Sequence, residues 1–329
     1  MALEQPVDVG SKSDYRSTFR TRSRMGRRRD ETPRASLHIG RTTAPTSGGR
    51  QLALLVMDYV EGVDLRTLLD QHTAAGLLLP VALGAYIVCQ ICRALSHAHR
   101  HIIHRDISPD NMLINTHGTP KLTDFGVAIN PDEEVLKVAG KPLYIAPECY
   151  TTGAVDERSD IFSLGVCFYQ VLTGVKPILL APGEGIALSL ARARHQLEQG
   201  VTPPREIRPD VPEVLSDTVM RMMAMDPSDR FSRSGMIADR IDQEYLYARG
   251  VGPTNHSLAA YIRFFESGFL ETDTDDITQL GFLRDEAGRL NVKRAYPTAA
   301  GVASGAMTVS GSITAPPPAA SPASAVPAH

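Results

Sequence analysis

The sequence predicts an α+β fold that is mainly α-helical, with a small β-sheet near residue 50. The apolar run at 52–57 (LALLVM) has the length and composition of a buried strand. A long apolar stretch from Pro80 to about His99, and another after Asp156, have helical spacing. With 329 residues, 43% of them hydrophobic, the chain can bury one large core or two smaller lobes.

The first predicted elements follow one another closely. The strand at 52–57 runs into a turn at 58–62 (DYVEG), and a short helix is expected from Asp64 to about His72. Asp64 or one of its neighbours is expected to cap this helix, because Asp side chains accept hydrogen bonds from the backbone N–H groups of a first turn.

The stretch after Pro80 predicts a helix buried against protein. Its apolar residues repeat at 4-3-4-3 spacing, which is one face of a helix. Residues 74–92 carry no charge and are about long enough to span a bilayer. The repeating face nevertheless favours a core helix, so we predict no transmembrane segment; no signal peptide is visible either. The repeating residues are Val81, Ala85, Val88, Cys92 and Leu95.

The second half of the chain predicts further helices. The segment 156–165 (DERSDIFSLG) opens a helix that should stop at Thr173-Gly174. Two more helical stretches are expected near 186–199 and from 214 to 225. In a later amphipathic piece, packing on the core is favoured over binding of a partner. One helical face of that piece carries Leu258, Tyr261, Ile262 and Phe265.

Charge is concentrated at the start of the chain. Residues 1–50 carry about +6, which leaves about −9 for the remainder of a chain with net charge −3. No apolar period accompanies the arginines, so residues 1–48 are expected to be disordered or non-native rather than a nucleic-acid-binding arm. We expect no nucleic-acid partner. Residues 295–329 are rich in Ala, Pro and Ser and are expected to form a disordered tail.

Cysteines and histidines cluster near the predicted long helix. Cys89 and Cys92 have metal or redox spacing, but they lie in an apolar helical run and no second CxxC completes a zinc site. Core thiols in a reducing compartment are therefore expected, which favours a cytoplasmic location. His97, His99 and His101 are interpreted as surface residues at the end of the helix.

The most informative stretch is 104–111 (HRDISPDN), followed by 121–126 (KLTDFG). Asp106 and Asn111 lie five residues apart in a loop, and Asp124 follows thirteen residues later, so the three can converge on one point. Carboxylate and amide oxygens bind a hard cation such as Mg²⁺, and Asp106 stays free to accept a proton. For either piece alone, two ordinary Asp-containing turns of a hairpin remain an equal alternative.

HRDxxxxN and DFG, with APE at 146–148, together resemble the protein kinase family, in its bacterial eukaryotic-like serine/threonine form. The resemblance implies a protein-kinase-like fold with a mainly α-helical C lobe and an incomplete N-lobe β-sheet. It also implies transfer of the ATP γ-phosphate to protein Ser or Thr hydroxyls with Mg²⁺. Asp106 would be the base that accepts the substrate proton, and Asn111 and Asp124 would hold Mg²⁺.

The resemblance extends to the nucleotide site and to two structural contacts. Met57 would be the gatekeeper, the backbone of Asp58 and Val60 would hydrogen-bond the adenine edge, and Leu113 would lie beneath the adenine ring. Two further expectations concern structural residues: the backbone of the catalytic loop is held by Asp160, and an ion pair joins Glu148 to Arg230.

The chain departs from the family pattern around its catalytic loop. Ser108 stands where the family has a Lys that touches the γ-phosphate, and 140–142 (GKP) stands where Gly-Thr-Pro is usual. The second change puts in doubt the hydroxyl contact that the Thr normally makes with the catalytic Asp. Residues 126–144 contain no Ser or Thr, so a Ser/Thr phosphosite there is excluded. Arg105, which often grips such a phosphate in the family, could pair with the acidic residues at 132–134 or have no partner.

The motifs that cover the ATP phosphates are missing. No GxGxxGxV precedes residue 57, and the only Lys before it is Lys12, with Glu31 nineteen residues later in an unsuitable context. Two interpretations therefore stay open. One is a serine/threonine protein kinase of low activity as this chain. The other is a pseudokinase or truncated kinase that acts as a protein-binding module.

The composition and the motifs together predict four regions. The first is the Arg-rich head described above, and the second is a protein kinase domain made of hinge and C lobe. A helical extension and the Ala/Pro/Ser-rich tail follow. Their predicted bounds are 1–48, 49–247, 248–294 and 295–329.

Overall fold

The computed structural model of the chain describes residues 39–45, 51–57, 59–125, 140–248 and 252–267. Several predicted features lie outside these residues: Lys12 and Glu31, the hinge residue Asp58, the acidic residues 132–134 and the tail from 295.

Two strands form an antiparallel hairpin at the start of the described chain. Strand β1 (Ile39–Pro45) pairs with β2 (Gln51–Met57), with Ile39 opposite Met57. The strand predicted at 52–57 is confirmed. The expectation that residues 1–48 lack regular structure is wrong for β1, whose sequence IGRTTAP has no strand periodicity of its own. Its conformation depends on backbone pairing with β2, which the local sequence does not encode.

A second, three-stranded antiparallel sheet has the order β3-β4-β5. In the sequence, two helices lie between the first and second strands of this sheet, so β3 pairs with a strand that follows both helices. The bounds are β3 Gly62–Asp64, α1 Leu65–Ala74, α2 Val81–Ala98, β4 Met112–Asn115 and β5 Pro120–Leu122.

Seven more α-helices follow in the described part of the chain, so the fold is mainly α-helical as predicted, although its strands form two small sheets rather than one. The helices predicted near 186–199 and 214–225 are present, the second ending three residues earlier. The bounds are α3 Pro147–Thr151, α4 Glu157–Thr173, α5 Ile186–Gln199, α6 Pro204–Ile207, α7 Glu213–Met222, α8 Ser234–Ile241 and α9 Asn255–Glu266.

Helix caps form where the sequence predicts them. Asp64 caps α1 by accepting a hydrogen bond of 2.7 Å from the backbone N–H of Thr67. Asp156 caps α4 in the same way through the N–H of Arg158, also at 2.7 Å. Helix α4 ends at Gly174, whose φ of 74° is a left-handed conformation that glycine adopts without a steric cost.

Helices α2 and α4 form the centre of the core. The predicted apolar face of α2 is buried, and α4 is buried from Ser159 to Thr173. The two helices approach closely at Gly84, where an added Cβ would lie 2.5 Å from Cγ1 of Val171. Among the described helices, α2 alone is long and apolar enough to cross a membrane, and 61% of that window is buried within the fold. Its assignment as a helix buried against protein is confirmed.

All four cysteines are free thiols. Cys89, Cys92 and Cys167 are buried, and burial raises the pKa of Cys89 to about 12. No three His, Cys, Asp or Glu side chains in the described ranges form a group that could hold a metal ion. Because Cys89 and Cys92 are both buried, the prediction that they are core thiols is confirmed.

Helix α9 packs on the core through its apolar face. Leu258, Tyr261 and Ile262 are buried, and Phe265 is partly buried and packs against the core. The Tyr261 hydroxyl donates a hydrogen bond of 2.7 Å to Nε2 of buried His72, and the Phe265 ring stacks on the same imidazole at 4.1 Å. The prediction that this face packs on the core is confirmed.

The buried imidazole of His72 makes stability depend on pH. Burial lowers its pKa to about 4, whereas an unfolded His has an ordinary pKa of about 6.5. The unfolded chain therefore binds a proton that the folded chain does not. Stability from this group is present above about pH 6.5 and is lost as pH falls towards about 4.

We expect His72 to account for roughly 2 kcal/mol of the free energy of unfolding lost between about pH 7.5 and pH 5. Urea unfolding at both pH values measures this loss. In His72→Gln, the free energy of unfolding lost between the two pH values should be smaller by roughly 2 kcal/mol. In His97→Gln, whose side chain is exposed, it should stay unchanged. An equal pH dependence in His72→Gln and the unaltered chain would contradict the expectation.

Candidate active site

The loop between α2 and β4 is anchored to α4 by one buried carboxylate. The backbone N–H of His104 donates to Oδ2 of Asp160 at 2.7 Å, and that of Arg105 donates to Oδ1 at 2.8 Å. Asp160 is 1% exposed, so this carboxylate is held inside the fold. The expectation that Asp160 holds the backbone of this loop is confirmed.

A histidine that the sequence placed on the surface completes this anchor. His99 donates from Nε2 to Oδ2 of Asp160 at 2.9 Å, and its side chain is only 3% exposed. The surface interpretation is therefore wrong for His99, although His97 and His101 are exposed as predicted. The reason is tertiary: α4 passes beside the end of α2 and covers this ring.

The two motif segments are joined through His104 and Thr123. His104 is fully buried and donates from Nε2 to the carbonyl of Thr123 at 2.9 Å, while its ring lies 4.6 Å from that of Phe125. The N–H of Thr123 in turn donates to the carbonyl of Asn111 at 3.0 Å. These contacts bring Asp124 next to the loop that carries Asn111.

Two residues of this region have left-handed backbone conformations that non-glycine residues rarely adopt. Arg105 has φ of 67° and Asp124 has φ of 61°. Such a conformation costs on the order of 1–3 kcal/mol at each residue and persists only where the surroundings impose it. Here the surroundings are the Asp160 anchor on one side and the His104–Thr123 contact on the other.

Asp106 and Asn111 face each other across the loop. The amide nitrogen of Asn111 donates to the backbone carbonyl of Asp106 at 2.7 Å and to its Oδ2 at 3.0 Å. This commits the nitrogen, so the amide oxygen of Asn111 is the atom left for a cation. Together with the exposed carboxylate of Asp124, it supplies oxygen ligands of the kind that Mg²⁺ prefers. The donor set fits that metal.

The residues assigned to the adenine side lie at the end of β2, just after it, and on β4. Met57 is the last residue of β2, and Val60 is half-buried just after it. Leu113 lies on β4 opposite Asp64 of β3, and it is half-buried.

Ser108 lies inside the fold rather than on the open face of the loop. It is fully buried, and its hydroxyl accepts a hydrogen bond of 2.9 Å from Nζ of Lys141. The same ammonium donates to Oδ2 of Asp110 at 2.8 Å. Arg66 of α1 lies 3.7 Å from that carboxylate. Partial burial opposes ionisation of Asp110, but Lys141 and Arg66 hold its pKa below the ordinary value.

Lys141 was not among the residues that the sequence assigned to the site. The signal that could have found it is the pairing of two departures, a Ser at 108 and a Lys at 141, which lie 33 positions apart. Each departure lies in a different segment, and neither segment alone indicates the contact.

A buried ion pair joins the APE segment to the segment between α7 and α8. The guanidinium of Arg230 contacts the Glu148 carboxylate twice, at 2.7 and 2.9 Å, and Ser159 donates to the same carboxylate at 2.9 Å. Both charged side chains are buried. The predicted pair is confirmed, and its two parallel contacts are the strong geometry for an arginine and a carboxylate.

Comparison with known proteins shows the family to which the chain belongs. A protein kinase domain model matches residues 44–246, which is more than half of the chain, so the chain belongs to the protein kinase family. The tyrosine-protein kinase MasK of Myxococcus xanthus is 32% identical over 235 residues, which cover 66% of this chain and 35% of MasK.

Two further relatives are named as serine/threonine-protein kinases. PknB of Mycolicibacterium smegmatis is 33% identical over 58% of this chain and 30% of PknB. PrkC of Bacillus subtilis is 34% identical over 58% of this chain and 30% of PrkC. Within its family, the chain is therefore a bacterial eukaryotic-like protein kinase. It spans about a third of the length of the curated relatives it matches.

Proposed function

We propose that this chain transfers the γ-phosphoryl group of ATP to serine or threonine hydroxyls of a protein substrate. The observation that carries the proposal is the joining of the two motif loops. The Asp160 anchor and the His104–Thr123 contact hold Asp106, Asn111 and Asp124 in one place. Three such side chains on two loops are the set that phosphoryl transfer to a hydroxyl requires.

Asp106 is the proposed base. Asn111 orients it by donating to its carbonyl and to Oδ2, which leaves Oδ1 of the carboxylate to accept the proton of the substrate hydroxyl. The Asp160 anchor keeps the backbone at Arg105 in its left-handed conformation, and this fixes where the next residue points. The loop is therefore preorganised, so little rearrangement is needed when the hydroxyl arrives.

The oxygens of Asn111 and Asp124 are the proposed magnesium ligands, and Met57, Asp58, Val60 and Leu113 form the proposed adenine site. Mg·ATP would supply the phosphoryl group, which would pass to the substrate hydroxyl with ADP as the leaving group, and the metal would neutralise charge on the phosphates. The chain's own residues hold these oxygens in place and take up the hydroxyl proton at Asp106.

The serine/threonine preference rests on the loop sequence. The segment 107–110 (ISPD) resembles the serine/threonine subgroup more than the tyrosine subgroup, although one relative, MasK, is named as a tyrosine kinase. Phosphorylation of matched peptides that offer only Ser, only Thr or only Tyr tests this preference.

We also propose that the regions of the chain divide at residues 48, 247 and 294, and that the protein is located in the cytoplasm.

Nucleotide binding through Asp124 gives a direct test of the proposal. Mg·ATP at about 100 times its Kd should stabilise the folded chain by roughly 2.7 kcal/mol, because the ligand binds the folded state alone. We expect Asp124→Ala to abolish this stabilisation, measured as the shift in thermal unfolding. Asp217→Ala, which changes an exposed aspartate on α7, should keep the full shift. An equal shift in both variants would rule out the role of Asp124.

A second candidate function is favoured by one observation in the sequence. No GxGxxGxV precedes residue 57 and Lys12 is the only lysine there, so the groups that position the α- and β-phosphates are missing. A pseudokinase or truncated kinase would use the helical part as a protein-binding module. It predicts no thermal shift with Mg·ATP, and it predicts partner binding that survives substitution of Asp106 and Asp124.

A further inference from the structure

The ammonium of Lys141 reaches the catalytic loop from a different segment of the chain. It lies 2.9 Å from Oγ of Ser108 and 2.8 Å from Oδ2 of Asp110. Ser108 follows Asp106 by two residues, so this positive charge enters the loop beside the proposed base. The Lys141 side chain is 44% exposed, and solvent or a ligand can therefore reach it.

The backbone before Lys141 is held against the same loop. Gly140 has φ of 99°, a conformation that favours glycine. A Cβ at this position would lie 2.8 Å from the carbonyl oxygen of Arg105 and 3.6 Å from Oδ1 of Asp106. The close approach therefore requires a glycine, and it places the residue that follows within reach of the proposed base.

The segment after Lys141 is fixed by hydrogen bonds to the core. The N–H of Tyr144 donates to the carbonyl of Lys141 at 2.9 Å, which closes a turn. The carbonyl of Tyr144 accepts a hydrogen bond of 2.6 Å from buried Ser163 of α4. The Tyr144 hydroxyl accepts another, of 2.5 Å, from Arg66. The lysine thus extends from a supported turn.

An ammonium has three N–H donors. In the part of the chain that the structure describes, the Lys141 ammonium uses two of them, one on Ser108 and one on Asp110. The third is available to an oxygen that enters the space beside Asp106. A phosphoryl group in transfer is such a ligand, because its three oxygens carry negative charge.

We propose that Lys141 supplies the positive charge that stabilises the phosphoryl group during transfer, in place of a lysine at position 108. The inference rests on the proposed function and deepens it. Relative to the family pattern, the serine stands on the catalytic loop and the lysine on the facing turn, and in this chain the two side chains contact each other. No bond to Lys141 forms or breaks, because its role is to donate a hydrogen bond and to lower the energy of developing charge.

The test measures binding rather than turnover. The full chain and its variants are titrated with Mg·ADP alone and with Mg·ADP plus aluminium fluoride, which occupies the position of the transferring phosphoryl group. Lys141→Met should keep its affinity for Mg·ADP within about twofold. Aluminium fluoride should increase the affinity of this variant for Mg·ADP about 10- to 100-fold less than it does for the unaltered chain. This is the range expected for one hydrogen bond to a charged group.

Two further variants control for charge and for folding. Lys176→Met makes the same substitution at an exposed lysine and should behave as the unaltered chain. The exchange variant, Ser108→Lys with Lys141→Thr, places a lysine and a threonine where the family pattern has them. It should recover most of the affinity gained with aluminium fluoride. Because Ser108 is fully buried, the urea midpoint of this double variant is measured first. If the exchange variant does not fold, the comparison of Lys141→Met with Lys176→Met tests the role of Lys141.

The outcomes separate the two proposals. If Lys141→Met keeps the full gain with fluoride, or loses Mg·ADP affinity to the same extent, the role of Lys141 is overturned while nucleotide binding stands. The role of Lys141 is also overturned if the exchange variant folds but does not recover the affinity gained with aluminium fluoride. If the unaltered chain binds neither ligand, the proposed function itself fails, and the inference fails with it.

Discussion

Replacing Asp106 with asparagine is expected to lower the rate of phosphoryl transfer by about 100- to 10,000-fold, the usual contribution of a positioned general base. An asparagine has nearly the same shape, and its amide oxygen can still accept the hydrogen bond that Asn111 donates at 3.0 Å. The loop should therefore keep its structure while it loses the group that accepts the proton.

The measurement is the initial rate of ³²P transfer from Mg·ATP to a serine- or threonine-containing protein, with nucleotide affinity measured in parallel. Asp217→Asn makes the same chemical change at an exposed position on α7 and should leave the rate unaltered. Undiminished phosphorylation by Asp106→Asn would show that Asp106 is not the base. Loss of nucleotide affinity in step with the rate would instead indicate a structural defect.

The largest expected effect on stability comes from the buried pair between Glu148 and Arg230. Glu148→Gln should lower the free energy of unfolding by roughly 3–5 kcal/mol, because it leaves a buried guanidinium without its counter-charge. Arg230 is 2% exposed, so water cannot replace the lost partner. Its other hydrogen bonds in the described chain go to the backbone carbonyls of Arg158, Ala224 and Met225, which carry no full charge.

Urea unfolding of Glu148→Gln measures this loss. Glu198→Gln breaks the exposed pair with Arg194 on α5 and should leave the urea midpoint unchanged. Replacing both partners by apolar residues, as in Glu148→Leu with Arg230→Met, should cost less than Glu148→Gln alone. A midpoint in Glu148→Gln no lower than that of the Glu198 control would show that the pair contributes little.

Much of this protein could be predicted because its information is local. The 4-3-4-3 face of α2 corresponds to a buried helix, and the caps at Asp64 and Asp156 form where such residues precede apolar runs. The loop residues of the candidate site were found by their spacing in HRDxxxxN and DFG. Such spacing works because a short loop constrains the relative positions of its own side chains.

The features that were missed depend on contacts between separate elements. Strand β1 has no strand pattern of its own and is ordered by pairing with β2. His99 lies at the end of a helix, where a polar residue usually faces solvent, yet Asp160, 61 positions away, takes its hydrogen bond. Periodicity describes only one element at a time, so it cannot show which element will cover another.

The sequence by itself determined the class of fold, the helical core and the identities of Asp106, Asn111 and Asp124 as candidate site residues. Only the tertiary structure decided that the ammonium of Lys141 meets the hydroxyl of Ser108. The physical reason is that the contact joins two loops whose separation is set by the left-handed Gly140 and by the packing of the next turn on α4. Neither loop alone contains the information that places a lysine beside the base.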